Sequence, residues 1–380
     1  MIFDRTDYDF LKLCALCRYM PFGLHKRYDA PFLKRSVIYN LQMHGLIKKQ
    51  SDNTSYKLTT DGKRYLAEMG SSFPGDARMD LTRTSYKRKL ESAETNLLFH
   101  LAGIDVFAQA ASELKETGYI SSLMMRTDKN MKVLGGTRFL GILKIFDTLY
   151  IPYSFTEEDM RIIPHFEKEI YTSQSEKIKG VKYIKAMLFG RTLEELWEYM
   201  YNNKASTDAI KGRKRLDKAL EEMGCDALLV PYGRGGVMQM NIMKIYRYKE
   251  RIASAMGCVP VMQRELSECD GMIGGTPCIV AFDLDIERIK RALKQVETYN
   301  KDAVAKIVCM EFQKSTVFKI LKYNNCPKSM VAAIDKYGIY RIFPELEEKT
   351  ERRPYMTEEG KYIEVNARIT KAFDAQWEDK

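Results

Sequence analysis

Two groups of residues in this 380-residue chain have types and spacings suited to chemistry. The first is acidic. "FDLD" puts Asp283 and Asp285 at the end of one apolar run, and "CMEFQKS" puts Glu311 at the end of the next, with Gln313 and Lys314 just beyond. Carboxylates on two strand ends, beside a polarising side chain, can hold Mg²⁺ and activate water for phosphodiester hydrolysis. Asp147 with Glu167 or Glu169 is a weaker set of the same kind. The second group is basic. In "FLKRSVIYNLQMHGLIKK", Lys34, Arg35, Ser36, Tyr39 and Asn40 fall on or near the outer side of an amphipathic stretch, and Lys48, Lys49 and Lys57 follow it. The major groove of B-DNA admits an α-helix, where an arginine can take guanine and an asparagine adenine by paired hydrogen bonds. Lys34, Lys48, Lys49 and Lys57 suit phosphates, which position a protein without reading sequence. Tyr39 suits a sugar or a thymine methyl. These eight residues are the expected contacts to double-stranded DNA.

Other chemistries have weaker signals. The stretches "YGRGG" (Tyr232 to Gly236) and "GMIGG" are glycine-rich, but neither is the G-x-x-x-x-G-K-[ST] phosphate loop, and both read as tight turns. His25, His44, His100 and His165 show no metal or triad spacing, and no serine sits in a G-x-S-x-G elbow. Cys14 and Cys17 form a CxxC with no second pair at zinc spacing, and they fall on the apolar side of a helix. They read as buried free thiols. "KGRKR" (Lys211 to Arg215) reads as a solvated helix start. No cofactor or metal is expected.

Charge location sharpens the basic reading. The chain carries +10, and residues 1–90 hold 17 Lys and Arg against 9 Asp and Glu, an excess of +8. A basic excess gathered in one small segment is the footprint of a polyanion-binding module. With 45% hydrophobic and 29% charged residues, the composition is that of a soluble globular protein of about two domains. The start "MIFDRTDYDF" lacks signal-peptide design, and no apolar run approaches the roughly 18 residues of a membrane span. A cytoplasmic protein with no membrane partner is expected.

The elements that must position these residues can be read in order. A first helix is predicted from Asp7 to about Tyr19, capped by Thr6 and stopped by "MPFG". "LHKRYDA" gives a short second helix. A third starts with Pro31 in its first turn, buries Val37, Ile38 and Leu41, and ends near His44 with Gly45 in the left-handed conformation. "LIKKQ", with Leu46 inward, and "SYKLT" form a hairpin around the turn formers "SDNTS". Thr60 caps a last helix that ends at Gly70. This order resembles the winged helix-turn-helix family, in the run Leu41-x-x-x-Gly45-Leu46-Ile47 and, after the hairpin, Tyr56-x-Leu58-Thr59-x-x-Gly62.

"SSFPGDARMD" (Ser71 to Asp80) reads as a linker. A long helix is predicted from Thr84 to Thr117, its opening "YKRK" extending the basic face. Its apolar positions Leu97, Leu101, Ile104, Ala108 and Ala111 form a seam suited to a homodimer. Beyond residue 120, strand-like and helix-like segments alternate, which predicts an α/β domain with a mixed sheet. "DTLYIPY" at Asp147 and "DALLVPY" at Asp226 read as two similar strand ends. The fold class expected is α+β. Its parts are a winged helix over 1–70, a linker and long helix over 71–118, an α/β domain over 119–345 and a polar, partly ordered tail over 346–380.

The layout as a whole resembles the replication-relaxation family of bacterial plasmids and integrative conjugative elements. The resemblance rests on the winged-helix motifs, on "ESAETNLLFHLAGIDVFAQA", and on "TRFLGIL" leading to "IPYSF", with "ALLVPYG" and "VCMEFQ" compatible. About the first 110 residues match at motif level, and the rest matches by order of elements. The resemblance implies a DNA-binding protein of a mobile genetic element, acting in its replication, transfer or transcription regulation, with a second domain related to a nuclease-like fold. The acid and E-x-K set is interrupted here, so no catalytic residue is carried over. Two alternatives stand beside this expectation. One is a metal-dependent nuclease with a restriction-endonuclease-like domain, against which counts a predicted helix where that fold has a hairpin. The other is a ligand-responsive transcription regulator with the α/β part as its effector domain.

Overall fold

The structure is a computed structural model, which describes residues 5–71, 84–125, 138–155, 167, 170, 173, 176–201, 216–300, 304–326, 328–347, 349–356 and 362–369. Its described residues are mixed α and β, as expected. All of the expected linker, Ser71 to Asp80, beyond its first residue, the basic cluster at 211–215 and Glu169 lie outside them. The chain divides into two compact units, Met1–Tyr246 with Asp283–Lys290, and Arg247–Phe282 with Arg291–Lys380.

The first unit begins with helix α1, Arg5–Cys17. Phe10, Leu11, Leu13, Cys14 and Leu16 are all buried, so α1 is apolar around most of its circumference, and it packs against later helices on several sides. Burial pushes both the Cys14 and Cys17 thiols up, as suits structural thiols. A two-residue strand β1 (Met20–Pro21) follows, and the expected second helix is only a 3₁₀ turn, Leu24–Lys26. The expected third helix is two pieces. Pro31–Leu33 is 3₁₀, Lys34 is extended at φ −60° and ψ 143°, and helix α2 runs Arg35–Met43. Strands β2 (Ile47–Lys49) and β3 (Ser55–Leu58) pair antiparallel, and β1 pairs with β3, giving the order β1-β3-β2. Helix α3 (Thr60–Glu68) is capped by Thr59 rather than Thr60, the Thr59 hydroxyl accepting from the Gly62 N–H.

Helix α4 runs Thr84–Leu101, about half the expected length. Gly103 ends it at φ +67°, with Gly103 N–H donating to the His100 carbonyl at 2.9 Å and Ile104 N–H to Phe99 at 2.9 Å. Gly45 ends α2 at φ +68° by the same pattern, through Gln42 and Leu41. Only glycine enters that conformation without strain, so both stops are written locally. The dimer seam is therefore not a helical stripe. Leu97 and Ile104 are buried inside this unit, and Ile104, Ala108 and Ala111 lie past the helix end.

The rest of the unit is a five-stranded sheet of β4 (Thr117–Ser121), β5 (Gly141–Ile145), β6 (Thr148–Ser154), β7 (Tyr183–Gly190) and β8 (Asp226–Pro231), in that order. A short helix α5 (Ser122–Met125) follows β4. The first three strands are antiparallel and the last three parallel. The parallel strands read as continuous apolar runs because both faces are covered. Helices α6 (Leu193–Tyr201) and α7 (Leu216–Met223) connect β7 to β8, and α8 (Arg234–Met243) follows β8. Of "YGRGG", only Tyr232 and Gly233 form the strand-to-helix turn, while Arg234, Gly235 and Gly236 are the first residues of α8 and not part of a turn.

The second unit holds α9 (Tyr248–Ala255), β9 (Gly271–Ile273) and β10 (Thr276–Val280), joined by a turn at Gly274 and Gly275. The boundary between units falls within α10 (Ile286–Tyr299). Strand β11 (Lys306–Met310), helix α11 (Lys314–Tyr323), strand β12 (Met330–Ile334) and helix α12 (Lys336–Ile342) complete a four-stranded sheet, β12-β11-β10-β9. Part of the expected polar tail is structured, since β13 (Lys349–Met356) and β14 (Tyr362–Ile369) pair antiparallel. Among the described residues no helix is long and apolar enough to cross a membrane.

Gly236 is the tightest point of the β8–α8 join. A Cβ there would lie 1.9 Å from the Pro231 carbonyl oxygen and 3.0 Å from Leu98. Gly236→Ala must push α8 off β8. Chemical denaturation should show a destabilisation of about 1–3 kcal/mol, the range for forced overpacking.

Candidate nucleic-acid interface

The nine residues of α2 divide cleanly by face. Arg35, Ser36, Tyr39, Asn40 and Met43 are exposed, at spacings of one, three, one and three residues, which is one side of a helix at 100° per residue. Tyr39 is 63% exposed and Met43 67%, large values for such side chains. On the opposite side Leu41 is fully buried, Val37 and Ile38 are half-buried, and Phe32, Leu33 and Leu46 close the core beneath. Lys34 is exposed but lies at the joint before α2, not on it. No side chain caps the α2 N-terminus.

Strand register sorts the hairpin lysines. Lys48 stands directly opposite Lys57, and Lys49 opposite Tyr56. Directly opposed residues share a face, and neighbours along a strand alternate. Lys48 and Lys57 therefore form a pair on the outer face. Lys49 belongs to the other face, with its ammonium 5.9 Å from the Phe22 ring, which in turn packs on Tyr56. Arg35 lies near this second face. Burial and Cys14 push the Tyr56 hydroxyl up, while the Arg35 charge pulls it back. Like charges directly opposed cost stability, so Lys48 against Lys57 is a cost that an anion would remove. The one acid at the hairpin tip, Asp52, is engaged locally, accepting from Thr54 N–H at 3.1 Å and Thr54 Oγ1 at 2.7 Å.

Helix α4 holds this surface in place through residues the sequence reading passed over. Tyr86, within "YKRK", is buried, and its hydroxyl bonds Ser55 Oγ at 2.6 Å and Thr54 Oγ1 at 2.9 Å, which anchors the hairpin. Glu94, one helical face further on, is 7% exposed. It accepts from Arg27 Nη2 at 2.6 Å and from Tyr28 Oη at 3.1 Å, which fixes the turn leading to α2. Thr95 bonds the Tyr232 hydroxyl at 2.8 Å, which itself donates to Ser154 at 3.0 Å, so the same helix is tied to the central sheet. A tyrosine at the head of a basic run and a glutamate in the mixed run "ESAETN" were the available signals. No protein-family model, curated protein or solved structure matches the chain. What the surface does must therefore be argued from its own geometry.

The acidic group is committed elsewhere. Asp285 is fully buried and paired with Lys185, whose ammonium also lies 3.5 Å from Asp226. Its other oxygen accepts from the Arg288 N–H at 3.0 Å. Burial pulls the Lys185 ammonium down, but Asp285, Asp283 and Asp226 together hold it above its ordinary value. A cation of the chain's own thus stands where a metal would. In the second unit Gln313 is buried, donating to the Phe282 carbonyl at 2.7 Å and accepting from Met310 N–H at 3.0 Å, while Glu311 is exposed. Glu167, in the weaker set, accepts from Arg138 N–H at 2.6 Å and Tyr153 Oη at 3.1 Å. Among the described residues no three His, Cys, Asp or Glu are grouped to hold a metal ion.

Two outcomes follow. Removing one partner of a buried pair strands the other charge, so Lys185→Met should destabilise the fold by about 3–5 kcal/mol in denaturation at neutral pH. Burial pushes the Glu94 carboxyl above its ordinary range, and Arg27 and Tyr28 only partly pull it back. The folded state then binds this proton more tightly than the unfolded state. Glu94 favours folding most below its unfolded value of about 4.3, and the benefit is lost as pH rises through the raised folded value. Glu94→Gln removes that dependence. Its stability relative to the native chain should rise as pH increases from about 4, read from denaturation midpoints across a pH series.

Proposed function

We propose that the N-terminal segment is a winged helix-turn-helix that binds double-stranded DNA in a sequence-specific way, with α2 as its recognition helix and the β2–β3 hairpin as its wing. The observation that carries this reading is the uninterrupted outward stripe of α2, Arg35, Ser36, Tyr39, Asn40 and Met43, beside the opposed pair Lys48 and Lys57. The strand order β1-β3-β2, with α2 placed directly before the hairpin, supports it. So does the +8 excess of residues 1–90.

In this reading Arg35 and Asn40 read base edges, and Tyr39 and Met43 pack against sugar and thymine methyl groups. Lys34, Lys48 and Lys57 neutralise phosphates, helped by the uncapped, partly positive N-terminus of α2. Lys49, on the other face of the hairpin, contacts a phosphate only where the duplex passes beside Arg35. Ser36 donates to the backbone. The biological setting, a bacterial mobile element in whose replication, transfer or transcriptional control the protein acts, is the part of the proposal carried by the motif resemblance.

Selection of bound sequences from a random duplex pool would define the site. On that site, Arg35→Ala and Asn40→Ala should each cost about 1–3 kcal/mol and relax preference at one base pair. Lys48→Ala and Lys57→Ala should weaken all duplexes alike and lower the salt slope by about one each. Unchanged gel-shift affinity of the α2 variants for the selected site would show that α2 is not the reading element.

A further inference from the structure

Helix α11 of the second unit has an outward face with the same offsets as that of α2. Its sequence is "KSTVFKILKY", with Thr316, Val317, Ile320 and Leu321 buried. Lys314, Ser315, Phe318, Lys322 and Tyr323 are exposed and Lys319 is half-buried. Lys314, Phe318 and Lys322 stand four residues apart, so they form one straight row, lysine, phenylalanine, lysine, along the helix surface. Ser315, Lys319 and Tyr323 form the adjacent row. Phe318 is 49% exposed and Tyr323 48%. The helix carries three lysines and no acid. The nearest acid before it, Glu311, reaches Lys314 only at 4.0 Å, with both side chains well exposed, a pairing that contributes little.

A solvent-facing phenylalanine between two lysines has a narrow range of uses. It lacks any hydrogen-bonding group, so against a nucleic acid it offers an apolar ring face rather than a donor or acceptor. Lysine is a point charge without the bidentate geometry that discriminates bases. Rings interleaved with flexible cations match unpaired nucleotides, whose bases stack on aromatic side chains while the phosphates meet the lysines. In a duplex the base faces are already stacked on one another and cannot reach Phe318.

We propose that the outer face of α11 binds single-stranded nucleic acid without sequence preference, through stacking on Phe318 and Tyr323 and phosphate contacts from Lys314, Lys319 and Lys322. The site is separate from α2 and lies in the other unit. The test is fluorescence anisotropy of the full chain with a labelled oligothymidylate and, in parallel, a labelled duplex. The native chain should bind the oligothymidylate with an affinity that falls as salt rises. Phe318→Ala should weaken that binding about tenfold, Phe318→Trp should retain it, and both should leave duplex binding unchanged. Lys314→Ala with Lys322→Ala should weaken it and flatten its salt dependence. Phe318 is a surface residue, so its variants should keep the native circular dichroism spectrum. The proposal is overturned if the native chain fails to bind oligothymidylate at low salt, if Phe318→Ala binds it like the native chain, or if Phe318→Ala weakens both ligands alike. Arg35→Ala keeps the two readings apart. Loss of duplex binding alone in that variant locates the duplex site on α2, and its absence fails α2 without touching the oligothymidylate result.

Discussion

One buried carboxylate organises the first unit. Glu94 sits in the middle of α4, shielded from water, where an ionised group is tolerated only with strong partners. Both partners, Arg27 and Tyr28, come from the turn that precedes α2. That turn cannot shift without stranding the charge, so α2 takes its position from α4. The next residue, Thr95, joins Tyr232 and through it the carboxyl end of β6. Tyr86 ties the hairpin to the same helix from its other end. Helix α4 is thus a spine with the exposed basic surface fastened to one side and the parallel sheet to the other, where Phe99 meets Phe189 edge-on.

Electrostatics divide the chain into two kinds of charge. Asp285 is taken out of solvent and satisfied by the partly exposed Lys185, which makes the pair part of the fold. Lys48 and Lys57 of the hairpin are set against each other across two strands and have no opposite charge across the ladder. The first arrangement settles its own charge internally. The second leaves a positive potential outside the protein. On α11 the same outward pattern recurs with a phenylalanine in place of Tyr39.

Much of the local structure was legible in the sequence. The outward stripe of α2 follows from helical spacing alone, and so does the burial of Leu41 behind it. The stop at Gly45 was read from its glycine. The stop at Gly103 was equally readable, through the same hydrogen-bond pattern, but the apolar repeat past it at Ile104 and Ala108 mimics a continuing helix and drew the expected element to Thr117. The separation of Lys48 from Lys49 was also in reach, since strand neighbours alternate. Lys34 was not, because the 3₁₀ turn at Pro31–Leu33 that moves it off α2 depends on packing Phe32 and Leu33 into the core.

By itself, then, the sequence determined the periodic elements, their glycine stops, the concentration of basic charge near the N-terminus and the outward side chains of α2. Each of these rests on residues within a few positions of one another. Tertiary structure alone decided which charged groups are spent on the fold. Lys185 and Asp285 are 100 residues apart, and Arg27 and Glu94 are 67 apart. No spacing rule joins them, because such pairs form only after the chain has closed and excluded water around the carboxylates, while Arg27 and Lys185 stay partly exposed. That same exclusion turned Asp285 from a candidate metal ligand into half of an ion pair, and left the lysines of the hairpin and of α11 facing outward.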